Sequence, residues 1–277
     1  MSRSCALKTF ILLTVALLYT SSALAVPEAV LWPKWQNYKA GSEVRVDNSR
    51  WATFLQRYLV TDHPSGINRV KYGEVSGNDR RELEVYVKML AETDPFGLSR
   101  LEQMAYWINL YNAFTVKLII DNYPVKSILN IKPDKGWTTF GPWDEKYLKV
   151  AGEPISLNDI EHRILRPIFK DPRIHYALNC ASIGCPNLQP VPYDEENIEE
   201  LLDKGANEYV NSNRGAHFDG ARLVLSSIYG WYSEDFGGSK EAVLSHLMKY
   251  ADKKLHRRLY GYNLRINYEY DWELNAP

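Results

Sequence analysis

The chain of 277 residues is 45% hydrophobic and 24% charged, a composition that is typical of a folded protein and excludes wholesale disorder. Its 33 Lys and Arg residues nearly balance its 34 Asp and Glu residues, so no basic excess is present to neutralise phosphates. Nucleic acid is therefore not an expected partner. The length allows one large domain or two small ones.

The first 25 residues have the pattern of a secretory signal peptide. Arg3 and Lys8 precede a short apolar stretch, and Ala23-Leu24-Ala25 provides an A-x-A cleavage site. A membrane-spanning helix needs about 20 apolar residues, and this stretch is shorter. We therefore predict an exported protein, periplasmic or extracellular after cleavage, with no membrane span in the mature chain.

An extended lead-in is expected over residues 26–47, which lack a strong periodicity, and a single domain over residues 48–277. Within that domain, apolar residues recur at helical spacing in residues 51–59 and again in residues 81–90. Both segments are predicted to be helices.

The clearest helix begins at Ser99, where Ser99 and Glu102 form a capping box. It is expected to end near Asn122, before Pro124. Apolar residues occur on nearly all of its faces, which is typical of a buried helix. We predict that it is the central helix of the domain.

The second half of the chain is also mainly helical. A further capping box at Ser156 and Asp159 starts a helix that is expected to stop near Arg166 because of Pro167. The remaining predicted elements are a helix over 194–211, a hairpin over 216–226, a helix in the later half of 231–250 and a strand within 264–270. Together they predict an α+β fold, a predominantly helical single domain with a small antiparallel sheet.

Reactive residue types are concentrated in residues 171–186, which contain His, Asn, Ser and both cysteines that follow the predicted signal peptide. Asp171-Pro172 could begin a helix here, but apolar residues alternate over 174–178, and we favour a strand. A separation of four residues would place His175 and Asn179 on one face, whereas His175 and Cys180 would point apart.

The chain contains an ordered set of motifs at residues 105–113 (AYWINLYNA), 123–128 (YPVKSI), 156–166 (SLNDIEHRILR), 175–186 (HYALNCASIGCP) and 231–236 (WYSEDF). In these motifs it resembles proteins that carry DUF547, a domain of unknown function, over roughly residues 51–250. The resemblance implies the domain but no established activity.

One functional hypothesis is a thiol hydrolase or acyl transferase with a Cys/His/Asn site. Cys180 would be the nucleophile, His162 the favoured base and His175 the second choice, because a thiolate needs a nearby base. Asn179 or Asn109 would orient the histidine, as an amide does in papain-like enzymes.

The alternative is a non-catalytic binding module in which Cys180 and Cys185 form a structural disulfide, as secreted cysteines usually do. A metal site built from these cysteines with His162 and His175 is disfavoured, because the C-x4-C spacing is loose and no second pair exists. No cofactor is expected. The ligand in either case is an unknown small molecule, peptide or glycan.

Other polar residues are assigned to substrate binding. Asn109 and Asn112 should be buried, and such amides more often hold neighbouring backbone than a ligand. Arg166 has two interpretations, a carboxylate ligand or a cap of its own helix. The residues assigned to substrate binding are Asn112, Glu161, Arg166, Ser182 and Cys185.

Two features are interpreted as structural or peripheral. Trp231-Tyr232 with Asp235-Phe236 is expected to supply core residues and a local cap. His246 lies among polar neighbours in the sequence and is expected to be exposed.

Overall fold

The structure, a computed structural model, describes residues 27–132 and 141–277. The predicted signal peptide lies outside the described residues. The described part is mainly helical with small sheets, as predicted for an α+β fold. Within it, no helix is long and apolar enough to cross a membrane.

Helices form most of the regular structure in the described ranges. In chain order, the α-helices are α1 Ser49–Tyr58, α2 Gly77–Glu92, α3 Arg100–Asn122, α4 Arg166–Phe169, α5 Ile174–Ala177, α6 Ile198–Val210, α7 Ile228–Trp231, α8 Lys240–Tyr250 and α9 Lys253–Leu259. A π-helix, Asp159–Leu165, runs directly into α4. Short 3-10 helices lie at Pro33–Gln36, Tyr72–Glu74, Pro95–Gly97, Ile128–Asn130 and Ser233–Phe236.

Three small sheets accompany the helices in the described residues. The strands are β1 Leu59–Val60, β2 Arg69–Val70, β3 Leu148–Val150, β4 Glu153–Ile155, β5 Ala216–Asp219, β6 Arg222–Ser226 and β7 Ile266–Glu269. The predicted hairpin is β5–β6, with Asp219 opposite Arg222, and the predicted tail strand is β7.

The sequence pattern predicts an antiparallel sheet. The three-stranded sheet β5–β6–β7 is instead mixed, because β7 pairs with β6 in parallel. Parallel strands need a long crossover connection. Residues 227–265, which contain α7, α8 and α9, supply it.

Helix α3 is the buried central helix that the sequence predicts. Ser99 caps it by accepting a hydrogen bond from the Glu102 amide. The Glu102 carboxylate does not return that bond, because it accepts from the amides of Val46 and Glu195 instead. Glu102 therefore ties two other segments to the start of α3.

The lead-in contributes one residue, Trp35, to the core. Trp35 is fully buried, with its ring centroid 5.2 Å from that of Trp107 on α3 and 5.5 Å from that of Phe96. Aromatic side chains of this size contribute much of the apolar area that a core buries. Trp35 thus anchors the mostly exposed lead-in to the helical body.

The helix that starts at Ser156 continues past Pro167, where the sequence predicts its end. The capping box forms as predicted, with reciprocal hydrogen bonds between Ser156 and Asp159. Pro167 has no N–H, so one helical donor to the preceding turn is missing. The amides of Val30 and Trp32 donate to two carbonyl oxygens of that turn, those of His162 and Arg163, each at 3.0 Å.

Residues 174–177 form the short helix α5, so the expected strand there is wrong. Asp171 and Pro172 begin the turn, and the Asp171 carboxylate accepts hydrogen bonds from the backbone and guanidinium of Arg173. This local cap favours a helix at a site where alternating apolar residues fit either structure. The chain becomes extended at Leu178, so His175 and Asn179 do not share a strand face.

Candidate functional site

Asp235 joins two side chains from distant parts of the chain. It lies in the 3-10 helix Ser233–Phe236, and its Oδ2 accepts hydrogen bonds from His175 Nε2 at 2.6 Å and from Arg166 Nε at 2.5 Å. Partial burial raises the pKa of Asp235, but the hydrogen bonds and charges of His175 and Arg166 more than offset it and lower the pKa to about 2. The carboxylate therefore stays ionised at neutral pH.

Arg166 is almost fully buried and connects Asp235 to the lead-in. Its Nη1 donates to the carbonyl oxygen of Pro27 at 2.9 Å and lies 3.0 Å from His162 Nδ1. Because a guanidinium has no acceptor, His162 Nδ1 must be the unprotonated nitrogen. Burial lowers the pKa of His162, and the charge of Arg166 lowers it further, although Glu161 acts in the opposite sense. His162 is thus held neutral.

His175 is buried between two carboxylates. Its ring stacks on that of Tyr232 with centroids 4.2 Å apart and an interplanar angle of 11°. One nitrogen bonds Asp235, and the other, Nδ1, lies 3.8 Å from Glu161 Oε1. Stacking and hydrogen bonding together fix the orientation of the imidazole.

A cavity of about 710 Å³ opens beside this cluster. Arg166 Nη2 and Asp235 Oδ1 have no hydrogen-bond partner within the described ranges. Neither of the two atoms is fully enclosed. A free donor and a free acceptor of opposite charge thus remain accessible to a ligand. The cavity is lined by Ala29, Leu31, Gln36, Arg166, Pro167, Ile168, Lys170, Asp171, Glu234 and Asp235.

Cys180 and Cys185 form a disulfide that closes a short loop, with Cα atoms 6.2 Å apart. Asn179 holds this loop from inside: its Oδ1 accepts from the Ala181 amide at 2.9 Å and its Nδ2 donates to the Pro186 carbonyl at 2.7 Å. Asn179 therefore organises backbone at both ends of the disulfide loop.

The two buried amides of α3 also hold backbone. Asn112 donates to the carbonyl of Ala177 at 2.9 Å and accepts from the amide of Asn179 at 2.8 Å. Asn109 makes the equivalent pair of bonds with the backbone of Tyr193. Each side-chain amide thus bonds an extended backbone segment as a neighbouring strand would. Asn112 thereby fixes the start of the disulfide loop.

Polar groups other than histidine surround the disulfide. Tyr270 Oη lies 3.2 Å from both sulfurs, and Ser182 Oγ lies 3.4 Å from Cys180 Sγ and 3.3 Å from Cys185 Sγ. In the described part of the chain, neither His162 nor His175 makes a hydrogen bond to the Cys180 sulfur. The five residues of the expected Cys/His/Asn site are therefore not together: Cys180 and Asn179 lie in the disulfide loop, and His162 and His175 lie in the cluster around Asp235. Asn109 lies apart from both, on the backbone of Tyr193.

No group of three or more His, Cys, Asp or Glu side chains in the described ranges is arranged to hold a metal ion. Glu161, His162, His175 and Asp235 instead interact with Arg166, with one another and with Tyr232. This arrangement is a charge network around a guanidinium.

Sequence reasoning misses the role of Asp235. The motif at residues 231–236 is visible in the sequence, but its carboxylate is there interpreted as a local cap. Its partners precede it by 60 and 69 positions, so no local spacing reports the contact. The only sequence signal is that this acid stands in one of the motifs that carry the family resemblance.

Comparison with known proteins identifies a domain but no activity. Residues 95–210 match the family model described as "Protein of unknown function, DUF547". No curated protein and no solved structure gives a significant match. The matched segment contains Arg166, His175 and the disulfide loop but not Asp235 or Tyr270.

Proposed function

Since the chain contains a DUF547 domain, a family without an established activity, we propose a function from its geometry: it is an exported, non-catalytic binding module for a small polar molecule. The Arg166–Asp235 pair beside the cavity carries this proposal. The Cys180–Cys185 disulfide is a structural element of the module.

The state of Cys180 favours binding over thiol catalysis. A cysteine nucleophile must be a free thiolate with a base within hydrogen-bonding reach. Cys180 is bonded to Cys185, while His162 Nδ1 contacts Arg166 and His175 Nε2 bonds Asp235. Acyl transfer at Cys180 would require both reduction and a rearrangement of a histidine.

The chemistry of the cavity indicates the ligand class. Arg166 Nη2 can donate to a carboxylate or carbonyl oxygen, and Asp235 Oδ1 can accept from an N–H or O–H group. The bonds that Arg166 makes to Pro27 and His162 hold its guanidinium in place before a ligand arrives. A volume of about 710 Å³ suits a molecule of the size of a dipeptide or a disaccharide.

Export is the part of the proposal that rests on the sequence. The basic head, apolar stretch and A-x-A end of residues 1–25 support it, and a disulfide is consistent with an oxidising compartment. Intact-mass measurement of the secreted or periplasmic protein tests it, because cleavage should leave Val26 as the first residue. A mature protein that retains residues 1–25 would contradict export by this route.

Ligand-dependent thermal unfolding tests the binding proposal. Dipeptides and disaccharides at millimolar concentration are screened for an increase in the Tm of the wild type, since a ligand that binds only the folded state stabilises it. Each hit is then compared in Arg166→Gln and in Arg163→Gln. Arg163 is the matched control, because it precedes Arg166 by three residues but contacts Asp159 and Trp32, outside the cavity.

We expect the Tm increase to persist in Arg163→Gln and to disappear in Arg166→Gln, each measured against that variant's own Tm. Hydrolysis of a nitrophenyl ester or thioester by the reduced protein, abolished in Cys180→Ser, would overturn the proposal in favour of a cysteine-dependent enzyme.

A further inference from the structure

A second surface of the molecule is strongly basic. Six cations and a single carboxylate, Asp252, occur within residues 249–265, whereas the whole chain has a formal net charge of −1. We call this surface the α9 patch. Its cations are Lys249, Lys253, Lys254, Arg257, Arg258 and Arg265, and all are exposed.

The cations of α9 lie together on its outer side. At 100° per residue, Lys253, Lys254, Arg257 and Arg258 span an arc of about 140°. Leu259 is buried and Leu255 is partly buried, and both point in the opposite direction, into the core beneath the helix. The helix therefore presents a basic face to solvent, with the Arg258 guanidinium at its edge against Phe218 and the Gly220 carbonyl.

No carboxylate of the described residues forms an ion pair with the cations of the α9 patch. None of the six cations belongs to an ion pair within residues 27–132 and 141–277. Lys253 with Arg257 and Lys254 with Arg258 are like-charge pairs four residues apart, an arrangement that destabilises a helix slightly. Such repulsion is relieved when an external anion binds.

Exposed apolar side chains adjoin the cations. Tyr260 follows α9 directly and is 78% exposed, and Leu264 is 53% exposed. Soluble polyanions offer nothing to bury such groups, whereas the headgroup region of a bilayer accepts tyrosine rings and aliphatic side chains beside lysine and arginine.

We propose that the α9 patch binds the surface of a membrane that contains anionic lipids. Its cations contact the lipid phosphates, and Tyr260 with Leu264 inserts at the level of the headgroups. This attachment is peripheral and independent of the cavity beside Asp235, so it stands or fails separately from the proposed ligand site.

Vesicle flotation tests the proposal. The purified protein is mixed with vesicles of phosphatidylcholine alone or with about 30% phosphatidylglycerol, in low and in high salt. We expect binding to the anionic vesicles only, and its loss at about 1 M salt, where the screening length falls to about 3 Å.

Neutralising variants identify the surface. Lys253→Gln with Lys254→Gln should weaken binding about 30-fold, from about fivefold for each cation near an anionic surface. The matched control is Lys39→Gln with Lys149→Gln, which removes the same charge from two exposed lysines outside the patch that also lack ion pairs within the described ranges. Equal loss in both double variants would overturn the assignment to α9.

A second pair of substitutions separates a lipid surface from a soluble polyanion. Tyr260→Ser with Leu264→Ser leaves every charge in place and should weaken vesicle binding roughly tenfold. Unchanged binding by this variant, or binding of the wild type to a sulfated polysaccharide but not to anionic vesicles, would overturn the proposal.

Discussion

Asp235 Oδ2 and His175 Nε2 form a 2.6 Å hydrogen bond between residues that are 60 positions apart in the chain. The same oxygen accepts from Arg166, so one carboxylate neutralises a buried guanidinium and orients a buried imidazole. The proposed ligand site therefore depends on a residue from a 3-10 helix near the end of the chain.

Replacing Asp235 with Asn should destabilise the protein by about 3 kcal/mol, because removing one partner of a buried ion pair leaves the other uncompensated. Glu234→Gln is the control, since Glu234 is exposed and its loss should change the free energy of unfolding by less than about 0.5 kcal/mol. Urea unfolding measures both. Equal stabilities of the two variants would contradict the structural role of Asp235.

The stability contributed by Asp235 should be lost in acid. Its pKa is lowered to about 2 in the folded protein, whereas that of an unfolded aspartate is about 3.9. Its contribution is thus complete above about pH 4 and falls as the pH decreases towards 2. The free energy of unfolding at pH 5 and pH 2.5 should differ by about 1 to 2 kcal/mol more in the wild type than in Asp235→Asn, after allowance for partial solvent screening. The same pH dependence in both would disprove the assignment.

The disulfide should be closed in the native protein and should stabilise it. In a chain that begins at residue 26, which lacks Cys5, neither Cys180 nor Cys185 should react with an alkylating agent until reductant is added. Opening so short a loop should cost about 2 kcal/mol of unfolding free energy. Mass spectrometry and urea unfolding check this, with Cys180→Ser/Cys185→Ser matching the reduced wild type. A fast-labelling native thiol would refute it.

Asn112→Ala should lower the free energy of unfolding by about 2 to 3 kcal/mol, because the carbonyl of Ala177 and the amide of Asn179 lose their partners. Asn122→Ala is the control on the same helix, since Asn122 is exposed and only bonds the Leu118 carbonyl one turn earlier. Thermal unfolding ranks the two. A smaller effect at Asn112 than at Asn122 would contradict its role in holding the disulfide loop.

His246 should make the protein less stable as the pH falls below neutrality. It is partly buried against Tyr176 and Phe236, and this burial, with the nearby charge of Lys249, lowers its pKa to about 4. The unfolded histidine takes up a proton near pH 6.5, so stability present above that pH is lost between about pH 6.5 and 4.

The free energy of unfolding should therefore be about 1 to 2 kcal/mol lower at pH 4.5 than at pH 7, after allowance for partial solvent screening. His246→Phe should remove most of that difference, whereas His256→Gln, an exposed position on α9, should retain it. If the wild type is as stable at pH 4.5 as at pH 7, the interpretation fails.

Local signals in the sequence predict local structure well. The capping box at Ser99 and the apolar periodicity after it predict α3 from neighbouring residues alone, and the hairpin over 216–226 follows from its turn. The strand predicted around residues 174–178 is wrong because five alternating residues fit both structures, and the side chain of Asp171 favours the helix.

The contacts that build the site join residues that are far apart in the sequence. No local sequence pattern reports such contacts. His246 appears polar in its sequence context but packs against Tyr176, 70 positions earlier. Arg166 contacts Pro27, 139 positions earlier, and Asp235, 69 positions later. Such pairs depend on the packing of the whole fold, so a motif can mark them without revealing their partners.

Pro167 links the earliest described residues to the middle of the chain. Because it removes a helical donor, residues 30 and 32 complete the hydrogen bonding of a helix that starts more than a hundred positions later, and Pro27 receives Arg166 across 139 positions. A fragment cut to residues 95–210 would retain Arg166 but lack these donors and Asp235 as well. The segment that matches the family model thus leaves out residues that complete the hydrogen bonding of this helix and the ion pair of Arg166.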